Sequence, residues 1–182
     1  MSRYAPVTQL TKSHDRTSFD CGSADQTRWF RDHALQAHQS DTARVYVACR
    51  RSDGGVAGYY ALSAGSVEPE DASVRLATGT GGYPIPVVIL TRLGVDLREQ
   101  GHGLGRGLVR DALLQVAAIS TQVGVRALLV HAESPTAANF YRHFDPAFEE
   151  LPGDSLHLVL LLKNIRAGIT RAAASASAET GR

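Results

Sequence analysis

The sequence predicts a mixed α/β domain, and three observations carry that reading. Val87-Val88-Ile89-Leu90 is a short, wholly apolar run of the kind found in a central strand covered on both faces. A glycine cluster, Gly101, Gly103, Gly105 and Gly107, follows it and opens a segment with Leu104, Leu108, Ala112, Val116 and Ile119 on one helical stripe. Beyond that, strand-like and helix-like segments alternate up to Leu162.

Taken in chain order, Ser23 followed by Gln26 is a capping-box pattern, which satisfies orphan N–H groups at a helix start. Trp29, Phe30, Ala34 and Ala37 then fall at helical spacing, which predicts a helix from Ala24 to His38. Val45, Val47 and Cys49 alternate on a strand, Arg44 to Arg50. The turn Ser52-Asp53-Gly54-Gly55 returns the chain into a second strand, Val56 to Val67. Glu68 to Gly82 reads as a short helix and a mobile, glycine-rich connection. Pro86 to Val95 is the central strand. The helix after the glycine cluster ends at Gly124, and Val125 to His131 is the next buried strand. Ser134-Pro135 is an N-cap followed by an N1 proline, opening a helix with Ala138, Phe140 and Tyr141. Pro146 stops it, and Leu156 to Leu162 is the last strand. From Arg166 to Arg182 the chain is Ala/Ser/Thr/Gly-rich without apolar period, which predicts a frayed or disordered tail. The expected organisation is one domain over 1–165 with a tail over 166–182.

A chain of 182 residues is long enough for one well-buried core. A net charge of +1 excludes a uniformly basic nucleic-acid binder, though not a local basic groove. Every basic residue except Lys12 and Lys163 is arginine, whose planar fork suits phosphate and carboxylate. Cys21 and Cys49 are far apart, so neither a zinc motif nor a disulfide framework is implied, and no metal is expected. No apolar run approaches the ~20 residues that span a bilayer, and Met1 to Leu10 lacks a signal-peptide block. A cytoplasmic setting without membrane association is the expectation.

The glycine turn between a buried strand and a helix has two readings. It can cradle a pyrophosphate, because glycines turn several N–H groups toward one anion and the helix dipole adds to the field. It can equally be a tight turn with close helix packing. No Gly-Lys-Ser/Thr follows, so it is not a P-loop. Gly101-His102-Gly103 is followed by Arg106 rather than glycine, so it departs from the dinucleotide fingerprint.

Its context narrows the choice. Leu90 to Asp96 and then Gln100-Gly101-His102-Gly103-Leu104-Gly105 resemble the acetyl-CoA-binding motif of the GNAT superfamily of N-acetyltransferases, Gln/Arg-x-x-Gly-x-Gly/Ala. Val125 to Val130 and Asn139-Phe140-Tyr141-Arg142-His143-Phe144 continue the resemblance in the same order and spacing. The resemblance implies the GNAT fold: a mostly antiparallel central sheet, parallel strands splayed at the cofactor site, and flanking helices. It implies that Leu93, Gly94 and Val95 pair with the pantetheine amides, the Val95 N–H polarising the thioester carbonyl. It implies that N–H groups from Gly101 through His102, Gly103, Leu104 and Gly105 to Arg106 hold the pyrophosphate, led by Gln100. Asn139 would contact the pantetheine arm, and Tyr141 would protonate the leaving thiolate. Taken alone, Tyr141 reads as a core aromatic beside Phe140. Phe144-Asp145-Pro146-Ala147-Phe148 departs from the family's compact Phe-Gly-Phe step.

The segment His14 to Gly22, the helix with Trp29-Phe30, and Ala43 to Val47 resemble the start of GNAT toxins from bacterial toxin–antitoxin pairs, so that the likeness covers residues 10–163. That likeness implies acetylation of the free α-amine of aminoacyl-tRNA, a ribbon-helix-helix antitoxin and a homodimer. A free α-amine, with pKa about 7.7–8.0, needs no strong side-chain base. His102, His131 and Glu133 are nonetheless candidates. Arg92, Arg28 and Arg44 are the arginines expected at the tRNA, Arg92 at the acceptor stem. Arg31, Arg50, Arg51, Arg98, Arg106, Arg110 and Arg142 are also available, either as phosphate contacts or as scattered solvated charges. Two other readings stand beside this one: a GNAT enzyme acting on a protein N-terminus or small amine, and a binding module that acts through its antitoxin on DNA.

Overall fold

The computed structural model describes residues 3–180. Its strands are β1 (Thr8–Gln9), β2 (Arg44–Cys49), β3 (Val56–Val67), β4 (Ile85–Val95), β5 (Ala127–His131), β6 (Glu149–Leu151) and β7 (Asp154–Leu161). Its helices are α1 (Ala24–Arg28), α2 (Ala34–Gln39), α3 (Val74–Ala77), α4 (Leu104–Ile119), α5 (Pro135–Phe144) and α6 (Leu162–Thr180). The strands form one seven-stranded sheet in the order β1-β2-β3-β4-β5-β7-β6. The pairs β1–β2, β2–β3, β5–β7 and β6–β7 are antiparallel. The chain gathers into two compact units, each drawn from two stretches: residues up to Ser63 with Leu90–Ala112, and Ala64–Ile89 with residues from Leu113 onward.

In the first unit β2 and β3 pair across the Asp53–Gly55 turn, where Gly54 takes φ +72, a conformation that suits glycine. Alternation puts Val45, Val47, Tyr59 and Ala61 into a core with Leu10, Phe19, Phe30 and Ala34. The rings of Phe30 and Tyr59 stack at 4.1 Å. Tyr46 and Tyr60, cross-strand partners, stack at 4.8 Å, and the Tyr60 hydroxyl donates to Asp111 Oδ2 on α4 at 2.5 Å. Burial first, and the Asp111 carboxylate next, push the Tyr60 phenol far above its ordinary value.

The single helix expected from Ala24 to His38 is present with a difference. Ser23 caps it, its side chain accepting from the Gln26 N–H. A π-turn, Trp29–His33, then joins α1 to α2. The extra residue per turn shifts the apolar register, a change that 3.6-residue counting does not register. Phe30 inside the turn and Ala34 just after it are both fully buried.

In the second unit β5 and β7 pair from Ala127↔Leu161 to His131↔His157. Leu129, Val159 and Leu161 pack with Val67, Leu76, Ile85, Val87 and Leu151. Arg126 donates to the carbonyls of Leu76, Arg75 and Thr78, closing the C-terminus of α3. The strand expected from Leu156 begins at Asp154 and pairs with β6, a short strand without sequence signal. The tail expected to fray from Arg166 is instead helical as α6. Alanine has the best helix propensity of any residue, and the buried Ile165 fixes the first turns.

Candidate active site

The end of β4 and the glycine turn lie together in the first unit. Gly94 is buried, and Tyr59 leaves no room for a side chain there: a β-carbon would sit 2.8 Å from Tyr59 Cε1 and 3.4 Å from Cys21 Sγ. Leu93 and Val95 flank it, both half-buried. Gln100 is exposed, yet its side-chain Nε2 donates to the carbonyls of Val95 and Cys21, both at 3.0 Å. Gln100 thus clamps the end of β4 to the Cys21 loop and sets where the turn begins.

The turn itself is shaped for an anion. Gly101 and Gly103 have φ +78 and +80, and a β-carbon on either would meet no protein atom within 4 Å. His102 is exposed between them. The first helical bond of α4 runs from the Gly107 N–H to the Gly103 carbonyl at 3.2 Å. The N–H groups of a helix's first turn lack the i−4 acceptor that later ones have, and α4 begins at Leu104, directly after the two positive-φ glycines. Open space where side chains would stand, together with amides at the positive end of a 16-residue helix, fits a pyrophosphate.

Two buried acids brace the segment between strand and turn, and sequence reading missed both. Asp96, 1% exposed, accepts from the N–H groups of Asp20 and Arg98 and from the Arg98 guanidinium at 2.7 and 2.9 Å. Burial works to raise its pKa, but the hydrogen bonds and charge of Arg98 hold the carboxyl below the ordinary range. Glu99 accepts from the Tyr4 hydroxyl and pairs with Arg3 Nε, each at 2.9 Å, tying down the N-terminal segment. The only sequence signal was the Asp-x-Arg spacing of Asp96 and Arg98.

The arginines expected at the nucleic acid divide by partner. Arg92, half-buried on β4, lies over the Trp29 ring, 5.5 Å from its centroid. Arg28 pairs with Asp25 and Arg44 with Asp41, both at exposed positions where such pairs hold weakly. Arg31, Arg50, Arg51 and Arg98 all donate to main-chain carbonyls, and Arg50 and Arg98 also pair with carboxylates.

The second unit carries the tyrosine segment on α5, begun by Ser134, whose side chain accepts from the Ala137 N–H at 3.2 Å. Tyr141 is buried between Phe140 and Phe148, with ring centroids 5.2 and 5.7 Å away. Its hydroxyl has no hydrogen-bond partner among the described residues. Burial alone pushes the phenol far above its ordinary value, so it stays protonated. Asn139 is exposed two residues earlier, about half a turn away, its Oδ1 accepting from Arg142 at 2.9 Å. His131 and His157 face one another at 4.1 Å, and burial, then the charge of His157, lower the His131 pKa. Among the described residues no group of three or more His, Cys, Asp or Glu forms a metal site. No helix there is long and apolar enough to cross a membrane.

No family model matches the chain. Among curated proteins it is similar to the tRNA-acetylating toxin of Mycobacterium tuberculosis (strain ATCC 25618 / H37Rv). The two are 43% identical over 167 residues, spanning 92% of this chain and 98% of the relative. Among solved structures it is similar to AtaT complexed with acetyl-methionyl-tRNAfMet, with a TM-score of 0.81 and 29% identity over 90% of this chain and 98% of that one. It is likewise similar to a tyrosine-to-phenylalanine mutant of AtaT bound to acetyl-CoA and to the C-terminus of the antitoxin AtaR. That match has a TM-score of 0.78 and 28% identity over 93% of this chain and 99% of the other.

Proposed function

The chain belongs to the tRNA-acetylating toxins of the GNAT superfamily, and from that premise we propose that it transfers acetyl from acetyl-CoA to the free α-amine of aminoacyl-tRNA, blocking translation. The observation that carries this is a likeness spanning nearly the whole of both chains, with the glycine turn intact. Acetyl-CoA supplies the acetyl group as an activated thioester. The chain's own residues do the rest. Gly101, His102, Gly103, Leu104, Gly105 and Arg106 offer main-chain N–H groups to the pyrophosphate, and Gln100 fixes the entry to the turn. Leu93, Gly94 and Val95 present strand backbone to the pantetheine, with the Val95 N–H toward the carbonyl that takes up charge. Asn139 contacts the same arm. Tyr141 holds a proton that burial prevents it from losing at neutral pH, and gives it to the departing sulfur.

The acceptor needs little help. An α-amine with pKa about 7.7–8.0, lowered further by the neighbouring ester, is substantially neutral at physiological pH. No side-chain base is therefore assigned. Arg92, Arg28 and Arg44 contact the tRNA backbone through phosphate charge. The toxin acts in the cytoplasm as a homodimer, and its antitoxin is a ribbon-helix-helix protein; the AtaT complex with AtaR supports an antitoxin of some kind.

The test is incubation with labelled acetyl-CoA and charged tRNA, followed by mass spectrometry of the aminoacyl adenosine. Acetylated aminoacyl adenosine is expected. Label confined to protein would overturn the tRNA acceptor and leave a GNAT enzyme with a different amine.

A further inference from the structure

Arg142, the residue after the buried tyrosine, is the most heavily engaged side chain on α5. One guanidinium nitrogen donates to Asn139 Oδ1 at 2.9 Å. The other donates to the Ser155 carbonyl at 3.0 Å and pairs with Glu150. A single planar fork thus joins α5 to both strands of the β6–β7 hairpin. A guanidinium only donates, so the atom of Asn139 that faces it is the carboxamide oxygen. The amide nitrogen of Asn139 is left as the outward group, and it has no protein acceptor among the described residues. Asn139 is exposed, so nothing else packed around it would fix that orientation.

We propose that Arg142 is a positioning residue for acetyl-CoA, holding the Asn139 carboxamide so that it donates to a carbonyl of the pantetheine arm rather than accepting from an N–H. The proposal rests on the reading of Asn139 as a pantetheine contact. It also removes Arg142 from the set of arginines available to tRNA phosphates. The role is built into the i, i+3 spacing on the helix, which places the two side chains on one face. Glu150 and Ser155 hold the guanidinium from the other side, so lysine, a single point charge, does not replace it.

The experiment measures acetyl-CoA affinity by calorimetry for the intact protein and for Asn139→Ala, Asn139→Asp, Arg142→Met and the Asn139→Ala/Arg142→Met pair. Loss of one oriented hydrogen bond predicts about tenfold weaker binding for Asn139→Ala and for Arg142→Met. The pair is expected to bind about as weakly as either alone, because the two act as one unit. Asn139→Asp keeps the acceptor for Arg142 and loses the donor, so it should bind as poorly as Asn139→Ala. Separately, in the ligand-free protein, Arg142→Met should shift the Asn139 side-chain amide resonances. Multiplying penalties in the pair, or unmoved resonances, overturn the positioning role while the pantetheine contact stands. Unchanged affinity in Asn139→Ala overturns the contact itself. Full affinity in Asn139→Asp overturns the donor assignment. Asn139 is exposed, so its variants fold whatever structural load Arg142 carries.

Discussion

Burial of Tyr141 changes what the residue can do as well as where it sits. A phenol kept above its ordinary pKa of about 10 stays protonated through the physiological range, so in proton transfer it serves as an acid. Tyr141→Phe is therefore expected to keep acetyl-CoA affinity within about twofold while kcat falls about a hundredfold or more, read by calorimetry and single-turnover transfer. The sign of the pH dependence follows from the same shift. A raised pKa means that the proton is lost only at higher pH, so kcat should climb as the ester-lowered α-amine deprotonates, below about pH 8, and hold level to about pH 10. A decline setting in by about pH 9 would take Tyr141 out of the proton transfer. Asp96 has the opposite sign. Its folded carboxyl lies below the ordinary value, so its contribution is present above about pH 4 and fades as pH drops through the lower, folded pKa. Asp96→Asn should cost about 1–3 kcal/mol at pH 7 by denaturant titration and flatten the acid limb of stability.

Among the elements, the glycine turn is the one whose backbone geometry bears most directly on what can bind there. Both positive-φ glycines face open space, so the protein itself tolerates a side chain at Gly103 at a backbone cost of about 1–2 kcal/mol. Gly103→Ala should fold with a slightly lowered midpoint, whereas Gly103→Glu should fold and lose acetyl-CoA affinity altogether, by intrusion and charge. Normal calorimetric affinity in Gly103→Glu would remove the turn from the pyrophosphate. Strands with alternating or wholly apolar faces were readable, as was the Ser134-Pro135 helix start, because their causes are local. The π-turn at Trp29–His33 was not, since a single added residue leaves composition unchanged. Nor was β6, whose three residues take their pairing from β7 rather than from their own pattern. The Ala-rich stretch after Arg166 misled for a third reason: lack of an amphipathic stripe says nothing against helix when propensity and an anchored first turn suffice. Within the site, residue types were legible and their internal commitments were not. Gln100 and Arg142 both carry main-chain or side-chain bonds set by neighbours far along the sequence or on another element.

For the molecule as a whole, a net charge of +1 means that tRNA must be held by a local concentration of arginine rather than by the body of the protein. The KM for charged tRNA should accordingly rise steeply with salt, with a log–log slope of about 0.7–0.9 per phosphate contacted. Arg92→Ala should lower that slope by about one contact, measured between about 50 and 200 mM salt. A slope that Arg92→Ala leaves unchanged would show that the side chain does no more than cover Trp29. The helix that carries Trp29 has a consequence of its own. A π-turn holds one residue more than the coil it interrupts, so losing a single codon between Trp29 and His33 would restore ordinary winding without opening a gap. Because the wide turn has already absorbed the added residue, Arg28 and the Ser23 cap would keep their face, whereas the same deletion from an ordinary α-helical turn would swing them by about 100° about the axis. Related sequences one residue shorter at this point would therefore show the same face of their first helix on an unbroken coil, so that this spot takes length changes the rest of the helix cannot.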